Sequence, residues 1–312
     1  MRILLATDFS HYADTARSLV KRLVLPAGSH IRVVNAIEPI TTVAMFAPAA
    51  ILTLTEAAEA EAKAEVAKAA KDLERPGVTA DAVVGFGRAA DVLIDECDSF
   101  KPDLLIVGSR GRGGIATSVL GSVSAELVDR APCPVLVARR DTLSKVILAE
   151  DGSAYAAAGG RAIAALAPFA TAEVRVVSVV DVPFPVMFAD PTATGTAVEA
   201  FRAYEDAMPK LRETHAGYAH TRAQTLAANG IRVSSEQREG DAASEIIAAA
   251  REQSADCVVI GSRGQTGFRR LMLGSVARSV LFHAPCSVLV IHERVAEQKA
   301  PEAARAPVTA PA

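Results

Sequence analysis

The sequence predicts a tandem α/β protein: two doubly wound domains, each a five-stranded parallel sheet of order 3-2-1-4-5 with helices on both faces. Three observations carry this. The 312 residues exceed one ordinary core and suit two domains of roughly 150 each. Half the residues are hydrophobic but only 4% are aromatic, with Ala, Val, Leu and Ile dominant, the mixture of buried strands packed between Ala-rich helices. Laid over itself from Arg2 and from Lys145, the chain repeats the same pieces in the same order.

Each unit opens on a short apolar run ending at a carboxylate, "RILLATD" and "KVILAED", and Ser10 and Ser153 then cap Ala-rich helices reaching to about Leu25 and Ala167. Second strands "IRVVNAI" and "VRVVSVV" lead through variable loops to long helices, about Thr55 to Glu74 and Tyr204 to Asn229. Third strands "DAVVGF" and "VSSEQR" pass through Gly87 and Gly240 into "AADVLIDEC" and "AASEIIAAA". Fourth strands "DLLIVG" and "DCVVIG" are followed by helices ending at "RAPCP" and "HAPCS", then by fifth strands "PVLVAR" and "SVLVIH". Nearly continuous Val/Ile/Leu strands separated by helices mean a parallel sheet covered on both faces. The expected domains are 1–141 and 142–293, with an Ala/Pro-rich tail, 294–312, expected to be disordered.

A net charge of -3 without a dense basic stripe gives little drive toward nucleic acid or an anionic membrane. The longest apolar stretch, "TTVAMFAPAAILTL", carries Pro48 and is too short to span a bilayer. The first strand reaches Thr7-Asp8 too soon for a signal peptide, and the four cysteines form no C-x-x-C pair, so a cytoplasmic protein is expected. Cys133 and Cys286 precede the fifth strands and read as buried apolar residues. The six histidines show no metal spacing and read as surface residues.

The chemistry concentrates after the fourth strand. "GSRGRGGIATSVLGSVS" begins at Gly108 and "GSRGQTGFRRLMLGSVA" at Gly261, both with the frame Gly, two residues, Gly, nine residues, Gly-Ser. In an open α/β sheet this is the crevice beyond the strand ends where ligands settle. At Gly108 and Gly111 a missing Cβ permits positive φ and lets backbone N–H groups approach an anion closely. Gly121 and Ser122 open a helix whose first N–H groups and dipole favour negative charge. Arg110 and Arg263 add positive charge, and Ser122 and Ser275 offer hydroxyls. Arg269 and Arg270 either reach phosphates or belong to a solvated loop. No Walker-type loop occurs, and "GFGRAA" at Gly85 follows the third strand, where its first glycine reads as a turn residue rather than a dinucleotide fingerprint.

Asp at the end of the first strand, the G-x-x-G-(nine)-G-S frame and the "APC-P/S-VLV" ending together resemble the universal stress protein family in its tandem two-domain form. The resemblance covers nearly the whole chain except the tail. Its ATP-binding subgroup holds an adenine nucleotide in this crevice, which implies ATP, with or without Mg²⁺, as the ligand here. In the first copy it implies that Thr7 and Asp8 contact the adenosine, with Ile37 near the base. Val107 and Gly108 would border base and ribose, and Arg110 and Gly111 the ribose-phosphate region. Gly121, Ser122, Val123 and Ser124 would meet the phosphates. The matching second set is Asp151, Val179, Ile260, Gly261, Arg263, Gly264, Gly274, Ser275 and Val276. Ala277 stands where Ser124 does, losing a hydroxyl. Glu150 replaces Thr7, and its charge is expected to weaken phosphate binding unless a metal ion bridges it. Asp8 and Asp151 could equally cap the following helix.

Neither frame pairs a nucleophile with a general base, which speaks against catalysis; with that, the resemblance implies a regulatory adenine-nucleotide-binding protein of stress response, with at most slow ATP hydrolysis. The alternatives are a nucleotide-free scaffold acting through the apolar loops "PITTVAMFAPAA" and "VPFPVMFADP", or an ATP-dependent enzyme. The latter is disfavoured because the S-G-G-x-D-S and H-x-G-H signatures are missing. The resemblance also implies that the fifth strands meet across a domain or subunit interface, so the duplication builds within one chain what single-domain members form as a dimer. A further homodimer and unidentified protein partners stay open.

Overall fold

The computed structural model describes residues 1–38, 48–111, 120–181, 196–265 and 273–292. The tail, Arg269, Arg270 and most of both apolar loops lie outside the described residues.

The first unit runs β1 (Arg2–Ala6), α1 (His11–Arg22), β2 (Ser29–Ile37), α2 (Pro48–Leu73), β3 (Val78–Phe86), α3 (Ala89–Phe100), β4 (Leu104–Gly108), α4 (Ser122–Arg130) and β5 (Val135–Ala138). The second repeats it as β6 (Lys145–Ala149), α5 (Ala154–Ala165), β7 (Glu173–Asp181), α6 (Thr196–Ala228), β8 (Arg232–Gly240), α7 (Ala242–Glu252), β9 (Cys257–Gly261), α8 (Ser275–His283) and β10 (Ser287–Ile291). Every expected element is present, and the long helices start earlier than expected. Ser10 and Ser153 cap as expected, accepting from the N–H groups of Ala13 and Ala156.

The strand order is β3-β2-β1-β4-β5-β10-β9-β6-β7-β8, so each half has the order 3-2-1-4-5 and the two halves merge into one ten-stranded sheet. The join is the single antiparallel pair, with Val137 opposite Val288, Leu136 opposite Leu289 and Val135 opposite Val290. Pairing the fifth strands removes two apolar edges that would otherwise invite association with another chain. The free edges are β3 and β8, and β8 ("RVSSEQREG") carries the polar side chains an edge tolerates.

Central strands β1, β4, β5, β9 and β10 are almost wholly buried because helices cover both faces. One apolar layer packs α3, α4, α7 and α8 on the sheet, the other α1, α2, α5 and α6, and each layer runs through both halves. The core therefore crosses the boundary between the repeats. All four cysteines are buried free thiols. A hydrogen bond with Cys97 and burial push the Cys133 thiol up, and burial pushes Cys286 up to about 11, so both pack as apolar groups. Among the described residues no helix is long and apolar enough to cross a membrane.

Candidate functional site

In each half the helix after the first strand packs on one face of the sheet and the helix after the fourth on the other, which opens a crevice between β1 and β4, and between β6 and β9. The sequence frame lies there. In the first half Thr7 Oγ1 accepts from Phe9 N (3.1 Å), Asn35 Nδ2 donates to Thr7 O (2.8 Å), and Asp8 Oδ1 accepts from Ser10 N (3.0 Å). Asp8 and Asp151 thus sit two residues ahead of the true caps, where each closes an Asx turn. The turn needs a left-handed residue between carboxylate and cap, filled by Phe9 (φ 60) in one copy and Gly152 (φ 81) in the other.

The frame glycines make room for tight packing without using positive φ. Neither Gly108 nor Gly111 takes positive φ, and the same holds for Gly261 and Gly264. A Cβ on Gly108 would stand 2.7 Å from Tyr12 C, and one on Gly261 2.7 Å from Tyr155 Cβ and 2.8 Å from Tyr155 C. These glycines let the strand exit press against the first turn of α1 and α5. A Cβ on Gly111 or Gly264 would stand 2.7 Å from Oδ2 of Asp8 or Asp151. Here the missing side chain makes room for the carboxylate.

Gly121 and Gly274 are the N-cap residues of α4 and α8, with no side chain to cap the first turn. Their own N–H groups donate to Ser109 O and Ser262 O at 2.8 Å, which folds the returning chain onto the strand exit. Ser122 and Ser275 are exposed at the helix starts. Ser124 is buried, and its Oγ donates to Gly108 O at 2.7 Å, so the hydroxyl missing at Ala277 is one that ties α4 to β4. Arg110 Nη1 donates to Tyr12 OH (3.0 Å) with its guanidinium 5.2 Å from the ring centre, and Arg263 repeats this with Tyr155 at 3.2 and 5.8 Å. Nε of both arginines is buried without a partner among the described residues. In each half this arginine follows the strand exit next to an uncapped helix start, an arrangement that could take an anion, and we call it the cradle.

In the second half the crevice encloses a cavity of about 310 Å³, and all nine residues of the second expected set line it, from Asp151 to Val276. Val177, Val179, Ile246 and Ile260 supply apolar wall, while Glu150, Asp151, Arg263, Gly264, Gln265, Gly274 and Ser275 supply the polar part. In the first half Val107 is buried and Ile37 half-buried at the corresponding strand ends.

The expectation that Glu150 loads the second site with uncompensated charge is corrected. Its side chain is 1% exposed, Oε2 accepts from Arg222 Nε on α6 (2.6 Å), and Oε1 accepts from Gly152 N (2.8 Å). Glu150 therefore does for Gly152 what Thr7 does for Phe9, and Arg222 neutralises it. Asp151 is also engaged: Oδ2 accepts from Gln265 N (3.1 Å), and Gln265 Nε2 donates to Asp151 O. Reading all histidines as surface residues is corrected as well, because His215 and His292 are half-buried, each with a hydrogen-bond partner. Among the described residues no three His, Cys, Asp or Glu side chains group as a metal site.

Sequence reasoning missed Tyr12, Tyr155, Arg222 and Gln265. The tyrosines had a legible signal, since both stand two residues after the capping serine in the two repeats. Arg222 had none, because it meets Glu150 across 72 positions.

Fold and crevice define a class: a tandem doubly wound α/β protein with a crevice at the switch point of each half. The family model described as the universal stress protein family matches twice, at residues 1–139 and 142–292, and the chain belongs to this family. It is 35% identical over 139 residues to a universal stress protein of Thermus aquaticus, covering 44% of this chain and 97% of that one. It is 27% identical over 303 residues to one from Mycolicibacterium smegmatis, covering 94% and 97%. Its fold is similar to the crystal structure of a universal stress protein from Archaeoglobus fulgidus, with a TM-score of 0.63 at 19% identity over 94% of this chain and 98% of that one.

Proposed function

We propose that this protein binds an adenine nucleotide, ATP in the first instance, as a regulatory ligand at its cradles, with at most slow hydrolysis. The observation that carries the reading is the second-half cavity. It joins an apolar wall able to take a base to the uncapped start of α8, with the orphan Arg263 Nε beside it. Arg263, Gly274, Ser275 and Val276 would hold phosphates, Asp151 the ribose, and Val179 and Ile260 the base. The first set, Thr7, Asp8, Ile37, Val107, Gly108, Arg110, Gly111 and Gly121 to Ser124, would do the same in its half, with Ser124 contributing its backbone. Mg²⁺ arriving with ATP would take the phosphate oxygens as ligands. A regulatory role would follow from a ligand that binds one conformation of the protein in preference to another. Units 1–141 and 142–293 act as the two binding modules, and the free thiols suit a cytoplasmic setting.

The test is to denature the purified protein, identify released nucleotide by chromatography and quantify it per chain, beside the double variant Gly121→Val, Gly274→Val. ATP or ADP in the wild type and its loss from a folded variant are expected. Empty wild-type protein that also fails to bind added ATP with Mg²⁺ would overturn the reading and favour a scaffold.

A further inference from the structure

The interface between the halves contains one contact made twice. Arg139 follows β5 and crosses to the other half, donating from Nη2 to Leu281 O (2.6 Å) and from Nη1 to Cys286 O (3.2 Å). His292 holds the equivalent place after β10 and crosses the opposite way, with Nε2 2.9 Å from Val128 O. Val128 and Leu281 are equivalent residues in the last turns of α4 and α8. Each of these helices therefore starts at a cradle in its own half and ends on a side chain delivered by the other half. Ser287 Oγ locks the crossing by accepting from the N–H groups of Arg139 and Arg140, both at 3.1 Å.

We propose that the two cradles are positively coupled through the paired fifth strands, so that an anion in one cradle prepares the helix start that forms the other. This rests on the nucleotide reading and adds regulation to it. The physical chain has three links. Gly108 pairs with Ala138 and Gly261 with Ile291, so Arg110 and Arg139 leave adjacent strand ends, as Arg263 and His292 do, and the Arg110 charge opposes that of Arg139. Phosphate against Arg110 cancels that repulsion and leaves Arg139 freer to seat on Leu281 O, in the last turn of α8. A cation on the last carbonyls and an anion at the first N–H groups stabilise the same helix dipole, so seating Arg139 favours anion binding at Gly274 and Ser275. Linkage requires the coupling energy to be the same in both directions.

The experiment is calorimetric titration of the full chain with ATP and Mg²⁺. Gly274→Val leaves only the first cradle, Gly121→Val only the second, and Arg263→Gln and Arg110→Gln repeat each block without adding bulk at the helix start. The wild type is expected to fill both sites at least about fivefold more tightly than the product of the two single-site affinities, the lower end of ordinary allosteric coupling. In Arg139→Gln, His292→Gln the excess should fall below about twofold while both sites still bind, and Arg139→Lys should restore part of it. A wild type whose overall affinity equals the product of the single-site values overturns the coupling and leaves the nucleotide reading standing. So does binding at one cradle only. Absence of ATP binding in the folded wild type overturns both.

Discussion

Oδ2 of Asp151 lies 2.7 Å from where a Cβ on Gly264 would stand, and Asp8 bears the same relation to Gly111. The glycine and the carboxylate form one unit in each half: the turn leaving the fourth strand closes over the Asx turn leaving the first. Gly264→Ala would drive its methyl into the Asp151 carboxylate and swing it away from Gln265 N. Because a side chain can give where backbone cannot, the cost to folding should be modest, about 1 kcal/mol, from the overpacking rule. Loss of ATP affinity at that cradle should be at least about tenfold, since misplacing one positioning group costs more in binding than in stability. Urea unfolding and calorimetry on one preparation separate the two effects.

Gly108 and Gly261 call for the opposite result. A Cβ here meets Tyr12 or Tyr155 backbone atoms at 2.7 to 2.8 Å, so the first turn of the helix itself has to move. Gly108→Ala and Gly261→Ala should each lower stability by about 2–3 kcal/mol, the upper part of the overpacking range. Equal stability in a urea titration would show that the first turn of the helix does not need a glycine at these positions.

The fold was legible because the duplication wrote it twice. A weak segment such as "VSSEQR", too polar to announce a strand, could be placed by its counterpart "DAVVGF". The backbone of the candidate site was legible for the same reason, since Gly-Ser-Arg-Gly recurs at the same distance from Gly-Ser. What the repeat could not show is why a residue is retained. Gly108 is needed to let α1 approach, a demand set by tertiary packing and invisible in local turn chemistry. The partners of Glu150, Arg139 and His292 lie across 72, 142 and 164 positions, beyond any spacing rule. The antiparallel sense of the β5–β10 pair was equally hidden, because parallel strands and an antiparallel join are built from the same Val/Leu residues.

The Glu150–Arg222 pair predicts a non-additive double variant. Arg222→Ala leaves a carboxylate that is 1% exposed without its cation, and removing one partner of a buried pair costs about 3–5 kcal/mol. Partial exposure of Arg222, 20%, puts the expectation at the lower end, about 3 kcal/mol. Glu150→Thr installs the first-half residue, whose hydroxyl can still accept from the N–H two positions on. Glu150→Thr combined with Arg222→Ala should therefore be at least about 1 kcal/mol more stable than Arg222→Ala alone, a coupling expected of directly contacting groups. Additive losses in chemical denaturation would show that the pair is an incidental contact.

The interface histidine sets the last expectation, a loss of stability toward acid. Burial holds the pKa of His292 below its ordinary value of 6.5, the Arg263 charge pushes the same way, and the Val128 carbonyl and Asp129 pull against them. A base whose pKa is lower folded than unfolded binds fewer protons in the folded state, so its contribution is fully present above pH 6.5 and is lost as pH falls toward the folded value. His215, also lowered by burial with Asp151 opposing, adds a loss of the same sign. His292→Gln keeps a donor for Val128 O and removes the titration. Between pH 7 and pH 5 the wild type should lose more unfolding free energy than His292→Gln. Parallel curves for the two proteins in urea titrations at pH 5, 6 and 7 would show that the imidazole stays neutral, or charges freely, in both states. ATP bound at Arg263 should shrink the difference, because phosphate beside that guanidinium cancels the charge that disfavours protonated His292.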